Sequence, residues 1–198
     1  MRLPNSAHTD RPWRIHELVP DFRLEDVWAL PTPGGPDDFP RLVRQAISGA
    51  PEDGASTVGR VLWAVRWKLG ALLGWDDEDW ARARPTLRDR LPGDLRDGPP
   101  GPGFDDKPFT PVYLLENEFA AEIVNRTVHG IMHLGWVEDQ DGVWRGQMGV
   151  YVKPHGLIGE AYMAAIKPFR YLLIYPPLMR RIEHEWKAGS ELGTWAAA

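Results

Sequence analysis

The sequence predicts an α+β domain in which an antiparallel sheet is followed by a long C-terminal helix. Residues 126–137 and 143–153 alternate apolar and polar side chains around an acidic, glycine-terminated turn, which is typical of a β-hairpin. Residues 157–186 then carry apolar side chains at helical spacing. A sheet and a helix that each have one apolar face are expected to pack those faces together.

Length and composition set the outer limits. The 198 residues (22.4 kDa) suit a single domain, 1–198, with a strand and helices in 1–108, the sheet and last helix in 109–188, and a frayed tail in 189–198. The absence of cysteine excludes disulfides, thiolate zinc sites and cysteine nucleophiles. A net charge of −5 argues against a general nucleic-acid binder, which needs basic side chains to neutralise phosphates.

The chain shows no targeting or membrane-spanning pattern. Residues 1–10 lack the charged start and apolar run of a signal peptide. The apolar stretch 171–179 is far shorter than the roughly 20 residues that a bilayer requires. We therefore expect a cytoplasmic protein without stable membrane insertion.

The first half of the chain predicts one strand and several helices. Residues 13–18 alternate well enough for a strand, and residues 37–47 follow a turn with a short helical pattern. Residues 56–73 have the strongest amphipathic helical pattern, and it includes Trp63 and Trp67 one turn apart. Residues 76–91 predict a ragged surface helix, which a loop rich in proline and glycine follows.

In the second half, residues 111–116 and 119–124 predict two short strands before the hairpin. One hairpin face is apolar and carries Val128, Met132, Leu134, Trp136, Trp144, Met148, Val150 and Val152. The other is mixed and carries Thr127, His129, Ile131, His133, Arg145, Gln147 and Tyr151. This contrast predicts a sheet that is covered on one side.

The secondary structure of two segments in the second half is less clear from the sequence. Residues 118–133 also have helical spacing, although Gly130, Gly135 and the β-branched side chains favour strands. In the last helix, Pro168 and the pair Pro176–Pro177 remove backbone donors, so we expect them to kink or interrupt it.

One segment carries a resemblance to a known family. Residues 153–170 read KPHGLIGEAYMAAIKPFR, with a Gly-Leu-x-Gly turn at 156–159, Tyr162, and Pro-Phe followed by Arg170. This pattern resembles a bacterial family of unknown function in the START-like (SRPBCC, helix-grip) superfamily, some of whose members are fused to epimerase-like NAD-binding domains. The resemblance covers roughly residues 111–186. It implies a curved antiparallel sheet wrapped on the C-terminal helix, with a cavity for an apolar small molecule between them.

Large apolar side chains are the candidate lining of such a cavity, with ordinary core packing as the alternative. The candidate ligand-binding residues are Trp63, Trp67, Met132, Trp136, Trp144, Met148, Tyr162 and Phe169. Tyr162 and Phe169 are seven residues apart, and so share a helix face. We expect both to contact the sheet near Met132 and Met148.

His129 and His133 form an H-x-x-x-H pattern that binds zinc only on a helix. On a strand, four residues span about 13 Å, too far for one metal ion. No metal or cofactor is therefore expected. With Glu122 and Tyr162, the two histidines are also the weak candidates for acid–base chemistry, but the pleat places them opposite the apolar face. Surface or edge histidines are the favoured interpretation.

Three functions remain open. The first is binding of an apolar or aromatic small molecule between the sheet and the last helix, without obligatory chemistry. The second is a cyclase- or hydratase-type enzyme that uses a cavity histidine or tyrosine. The third is an accessory module beside an oxidoreductase, or a homodimer, formed through the mixed face with Ile131 and Tyr151.

Overall fold

The computed structural model describes residues 1–48, 84–104, 109–139 and 141–195. A six-stranded antiparallel sheet of order β1-β2-β6-β5-β4-β3 organises them. Its strands are β1 Arg2–Leu3, β2 Arg23–Ala29, β3 Thr110–Leu114, β4 Glu118–Val124, β5 Val128–Glu138 and β6 Trp144–Pro154. The α+β class and the antiparallel sheet are thus confirmed.

Within the described residues, the helices are three single turns, one ten-residue helix and a long C-terminal unit. They are α1 Ser6–Thr9, α2 Ile15–Leu18, α3 Phe39–Ser48, α4 Gly93–Arg96, α5 Gly156–Phe169 and α6 Tyr175–Trp195. A π-helical segment, Arg170–Ile174, joins α5 to α6, and 3-10 turns lie at Pro36–Asp38 and Leu87–Arg90.

The predicted hairpin is confirmed as β5 and β6, which pair from Val128 opposite Pro154 to Glu138 opposite Trp144. Its turn is held by Asp139, whose Oδ1 accepts the backbone N–H groups of Asp141 at 2.9 Å and Val143 at 3.0 Å. The helical alternative for residues 118–133 is wrong, because β4 and β5 lie side by side in the sheet.

The interruption predicted at Pro176–Pro177 is confirmed by the π-helical segment directly before them, whereas Pro168 lies inside α5. The backbone N–H of Tyr175 donates to the carbonyl of Arg170, five residues earlier. Pro176 and Pro177 follow directly and have no N–H to donate, so regular α-helical bonding cannot continue unbroken here. The helix resumes as α6 and extends to Trp195, beyond the predicted end at residue 186.

In the first half, the helix predicted at 37–47 is confirmed as α3, but the strand predicted at 13–18 is wrong. Ile15 and Leu18 lie on a helical turn instead, where the i, i+3 spacing buries both. The sequence-based prediction missed β2 because Asp26, a buried charge, interrupts its apolar pattern. The helix predicted at 56–73 lies outside the described residues.

Both faces of the sheet are covered, so the prediction of a one-sided sheet is wrong. The apolar face packs on α3 and α6 through Phe39, Leu42, Tyr175 and Trp186. The mixed face is covered by the N-terminal helices and by residues 87–95, whose buried side chains are Trp13, Ile15, Leu18, Leu87, Leu91 and Leu95. The mixed face is consequently an interior surface.

Candidate functional site

Two cross-strand pairs of glutamate and histidine lie on the mixed face. Glu118 and Glu122 extend from β4, and His133 and His129 extend from β5 beside them. His133 Nε2 lies 3.1 Å from Glu118 Oε2, and His129 Nε2 lies 2.7 Å from Glu122 Oε2. His133 is 0% exposed and His129 6%, so the favoured interpretation of surface or edge histidines is wrong.

Glu118 connects the N-terminal segment to the sheet. Its carboxylate accepts the backbone N–H of Arg14 at 3.1 and 3.0 Å, the Tyr113 hydroxyl at 3.0 Å and the ring of His133. Burial alone would raise the pKa of Glu118, but its hydrogen bonds with the His133 ring, the Arg14 N–H and the Tyr113 hydroxyl hold the pKa below its usual value. Both oxygens of this carboxylate therefore accept hydrogen bonds within the fold.

Glu122 makes the same kind of connection to the second covering segment. Its Oε2 accepts the backbone N–H of Leu87 at 2.7 Å as well as the ring N–H of His129. Each histidine of the H-x-x-x-H pattern therefore pairs with its own glutamate. Within the described ranges, no group of three or more metal-ligating side chains comes together. The arrangement fits structural attachment of two covering segments better than acid–base catalysis.

A third histidine, His8 on α1, packs against His133 and Trp13. The ring centroids lie 4.9 Å from His133 and 6.1 Å from Trp13, and His8 Nδ1 donates to Gln147 Oε1 at 2.7 Å. Gly149 gives the His8 ring room, because a Cβ there would lie 2.8 Å from Nε2. Burial and the neighbouring His133 lower the pKa of His8 to about 3, so the ring is neutral at neutral pH.

A different polar cluster lies on the apolar face, between β2 and the long helix. Asp26, fully buried, accepts hydrogen bonds from Arg170, from the Tyr171 hydroxyl and from the Tyr175 hydroxyl, the last at 2.8 Å. Arg170 also donates to the Tyr175 hydroxyl at 3.1 Å. Burial raises the pKa of Tyr175, so its phenol stays protonated and donates.

Sequence reasoning missed this cluster, which we call the Asp26 cluster (Asp26, Arg170, Tyr171 and Tyr175). Arg170 is in the segment that carries the family resemblance, but its partner Asp26 belongs to the strand that was not predicted. Asp26 and Arg170 are 144 residues apart. A signal was present in the charged and aromatic side chains around the prolines, yet it did not identify a partner.

A groove lies next to the Asp26 cluster, between β1, β2 and α5. Its volume is about 460 Å³, and its lining residues are Arg2, Asn5, Arg23, Leu24, Glu25, Glu160, Met163, Ala164 and Lys167. Arg2 joins the two features, since its guanidinium lies over the Tyr171 ring at 4.6 Å from the centroid. Arg23 is held by Glu25 at 2.6 Å and Glu160 at 3.2 Å.

None of the predicted ligand-binding residues that the structure describes is among the side chains that line this groove. Met132, Trp136, Trp144 and Met148 share one core cluster on the apolar face, as expected from the pleat. Trp136 is fully enclosed, and its Nε1 donates to the Gly35 carbonyl at 3.0 Å. Trp63 and Trp67 lie outside the described residues.

The predicted orientation of Phe169 is wrong. Its side chain is 44% exposed, whereas Met163 and Arg170 of the same helical unit are buried against the sheet. Tyr162 is half-buried. The rings that pack on the sheet come from later in the helix, at Tyr175 and Trp186, because the inner face runs through 159, 163 and 170 rather than 162 and 169.

The fold and this groove define an α+β domain with a surface cleft between the sheet edge and its C-terminal helix. The chain belongs to a family described as a protein of unknown function (DUF2867), whose model matches residues 18–177. The match includes strands β2 to β6 and the Asp26 cluster, whereas β1 lies outside it. No curated protein and no solved structure matches the chain significantly. In the described part of the chain, no helix is both long and apolar enough to span a membrane.

Proposed function

We propose that the protein binds a small molecule with an apolar or aromatic body in the groove between β1, β2 and α5. The observation that carries this proposal is the groove itself. Its volume of about 460 Å³ falls in the range of 300–1,000 Å³ that is usual for small-molecule sites. It lies between the sheet and the C-terminal helix, where START-like domains hold their ligands. We also propose that the fold is the helix-grip arrangement of those domains.

The lining contains apolar, cationic and acidic side chains, and Glu25 and Glu160 are both paired with Arg23, so the ligand we propose has two parts. Leu24, Met163 and Ala164 supply apolar surface for a hydrocarbon or ring. Arg2 and Lys167 supply positive charge for a polar or anionic group at one end. A purely aliphatic ligand would offer these cationic groups no hydrogen-bond acceptor, so an amphipathic molecule fits better.

The Asp26 cluster supports the site by holding its wall in place. Tyr171 packs beside Arg2, and its hydroxyl is bonded to Asp26, which Arg170 also binds. Side chains that are fixed by buried hydrogen bonds lose little entropy when a ligand arrives. A rigid wall beside an open groove is therefore favourable for binding.

The other two functions have less support. The glutamate–histidine pairs are buried beneath covering segments on the face opposite the groove, which disfavours an enzyme that would use them. The accessory-module interpretation relied on an exposed mixed face, yet Ile131 and Tyr151 are buried in the core there. The buried glutamate–histidine pairs are therefore not open to a substrate, and the covered mixed face is not open to a partner protein.

The experiment is a titration with 1-anilinonaphthalene-8-sulfonate, an aromatic anion that fluoresces when it is bound to apolar surface. The variant Ala164→Phe fills the groove, and Ala188→Phe places the same ring on the exposed surface of α6 as a control. We expect the dissociation constant of the probe to be at least tenfold larger for Ala164→Phe. It should be unchanged for Ala188→Phe. Native mass spectrometry of the purified protein would also identify a co-purified ligand.

Equal binding by both variants, with equal thermal stability, would place the probe elsewhere and would contradict the proposal. A second variant, Arg2→Ala, separates the two parts of the site. If Arg2 binds the anionic group, Arg2→Ala reduces the affinity for the sulfonated probe more than the affinity for the uncharged probe 1-aminonaphthalene. Equal loss for both probes would show that Arg2 does not bind the anion.

A further inference from the structure

Residues 1–10 are attached to the sheet through one buried side chain, that of His8. The structure describes all ten residues, and among them only His8 is buried, with 0% exposure. Leu3 and Ala7 are half-buried, and the remaining side chains are exposed. Surface hydrogen bonds, such as that from Asn5 Nδ2 to the Leu24 carbonyl at 2.9 Å, can be replaced by bonds with water. His8 is therefore the main anchor of residues 1–10, which we call the edge segment.

The edge segment forms one wall of the groove. Arg2 and Asn5 line the groove opposite the side chains of α5. Arg2 lies on β1, which pairs with the edge of β2, and it precedes His8 by six residues in the chain. If the edge segment left the sheet, the groove would lose this wall and the cationic group of Arg2. The attachment of His8 and the shape of the groove are therefore coupled.

The surroundings of His8 fit a neutral ring. Its Nδ1 donates to Gln147 Oε1 at 2.7 Å, and Gln147 Nε2 donates to the Ala7 carbonyl at 3.2 Å, so the amide and the ring fix each other. His8 Nε2 is the other ring nitrogen, and it has no hydrogen-bond partner within the part of the chain that the structure describes. A proton added to Nε2 would create a buried N–H group without an acceptor, which is costly.

The titratable groups around His8 do not offset an added positive charge. They come from four elements and are His133 on β5, Tyr151 on β6, His16 on α2 and, beyond His133, Glu118 on β4. His133 and His16 lie 4.9 and 5.5 Å from the His8 ring, between centroids. The Glu118 carboxylate already accepts three kinds of donor. Burial, and secondly His133, accordingly lower the pKa of His8 to about 3.

We propose that His8 is a pH-sensitive anchor whose protonation releases the edge segment from the sheet and opens the groove. At neutral pH the uncharged ring is buried, the edge segment is docked, and Arg2 and Asn5 complete the site. In acid the charged ring is hydrated instead, and the edge segment leaves with both side chains. Release of a bound ligand in acid rests on the proposed function, whereas release of the edge segment does not.

The direction and size of the effect follow from proton linkage. The pKa of His8 is about 3 while the edge segment is docked, and it returns to its ordinary value of 6.5 after release. Protons therefore favour the released form as the pH falls below 6.5. The equilibrium constant for release should increase about 25-fold from pH 7 to pH 5.

Two neighbouring backbone amides report on release. The Ala29 N–H donates to the Met1 carbonyl of the edge segment, and the Leu30 N–H donates to the Gly146 carbonyl of β6, both at 2.8 Å. Hydrogen exchange of the ¹⁵N-labelled full chain is followed by NMR at pH 7, 6 and 5, and each rate is compared with that of an unstructured peptide at the same pH. At pH 7 we expect the Ala29 amide to be at least about tenfold less protected than the Leu30 amide. Its protection should fall about 25-fold by pH 5.

Three variants connect this behaviour to His8. His8→Phe keeps a buried ring without a titratable nitrogen, so the protection of Ala29 should no longer depend on pH. His8→Ala removes the anchor, so the protection of Ala29 at pH 7 should fall at least about tenfold while that of Leu30 is retained. The exposed His184→Gln is the control and should keep the wild-type pH dependence.

Two results would overturn the pH-sensitive anchor. Equal protection of Ala29 and Leu30 at pH 7 would show that the edge segment opens only when the whole chain unfolds. Protection of Ala29 that is constant or rises from pH 7 to pH 5 would show that His8 accepts a proton without release, for example by sharing it with His133.

The link to the groove has its own measurement. At pH 7, 1-anilinonaphthalene-8-sulfonate at ten times its dissociation constant should raise the protection of Ala29 about tenfold, because it binds only the docked form. Unchanged protection with the probe bound would contradict control of the groove by the edge segment. Exchange without the probe does not involve a ligand, so a failed probe titration contradicts the proposed function and leaves the pH-sensitive anchor to be decided by the pH series.

Discussion

The two faces of the sheet bury carboxylates in different ways. On the mixed face, Glu118 accepts hydrogen bonds from the backbone N–H of Arg14, a phenol and a histidine, all within the sheet and its N-terminal cover. On the apolar face, Asp26 is paired with the guanidinium of Arg170 from the C-terminal helix. The negative charge of Glu118 is thus stabilised by several neutral hydrogen-bond donors, whereas that of Asp26 is neutralised by one positive charge.

This difference indicates which buried group depends on which part of the chain. Glu118 and Glu122 attach segments that cover the sheet, so their loss should loosen those segments. Asp26 attaches the helix that forms one wall of the groove, so its loss should affect stability and the site together. Substitutions on the two faces can separate these consequences.

The largest effect is expected from Arg170→Met, which leaves the Asp26 carboxylate buried without a cation. Breaking a buried pair from one side costs about 3–5 kcal/mol, and we expect the free energy of unfolding in urea to fall by that amount. The double variant Asp26→Asn/Arg170→Met removes both charges and should recover much of the loss. A loss in the single variant below about 1 kcal/mol would show that Asp26 is not held by charge.

A smaller loss, about 2 kcal/mol, is expected from Glu118→Gln. The amide cannot accept from all the donors around it, and its NH₂ group meets donors where the carboxylate offered an oxygen. Glu116→Gln, on the exposed neighbouring loop, is the control and should leave the urea midpoint unchanged. Equal effects of the two variants would mean that the hydrogen bonds of Glu118 do not contribute to stability.

The mixed face should also make the fold sensitive to acid. The pKa of His8 falls from 6.5 to about 3 on folding, chiefly because the ring is buried and secondly because His133 is near; burial also lowers the pKa of His133. Between these values the unfolded chain binds protons that the folded chain does not. The stability contribution is thus complete above pH 6.5 and declines as the pH falls toward 3.

We expect stability to fall with a slope of at most about 1.4 kcal/mol per pH unit for each such histidine. Urea unfolding at pH 7, 6 and 5 measures it. His8→Phe keeps a ring of similar size beside Gly149 and should flatten the pH dependence, whereas exposed His184→Gln should not. A wild-type stability that stays constant from pH 7 to 5 would contradict neutral buried histidines.

The sequence was most informative where periodicity was long. The hairpin and the C-terminal helix each extend over many residues, so one face could be recognised from spacing alone. The apolar set around Met132 and Met148 was placed correctly because the pleat alternates without exception there. Short elements such as α2 and β1 give too few residues for a period to decide.

The errors have a common physical origin. Apolar covers that come from distant segments, Trp13 and Leu87 among them, bury polar side chains that local patterning assigns to solvent. His133 is a polar residue with a polar partner 15 residues away, so no local pattern distinguishes it from a surface histidine. The Asp26 cluster is harder still, because its members join the second strand to the last helix.

The smallest effect is expected from Phe169→Ala, and it sharpens the contrast between the two sides of the helix. A Phe169 packed against the sheet would make the substitution cost about 3–5 kcal/mol, the usual loss for a buried phenylalanine. Since the ring is 44% exposed, we expect the free energy of unfolding in urea to fall by only about 0.5 kcal/mol. Trp186→Ala, on the inner side, should cost about 3–5 kcal/mol because that ring is buried against Trp136. Equal costs for the two variants would mean that both rings contribute to one core and that Phe169 packs against the sheet.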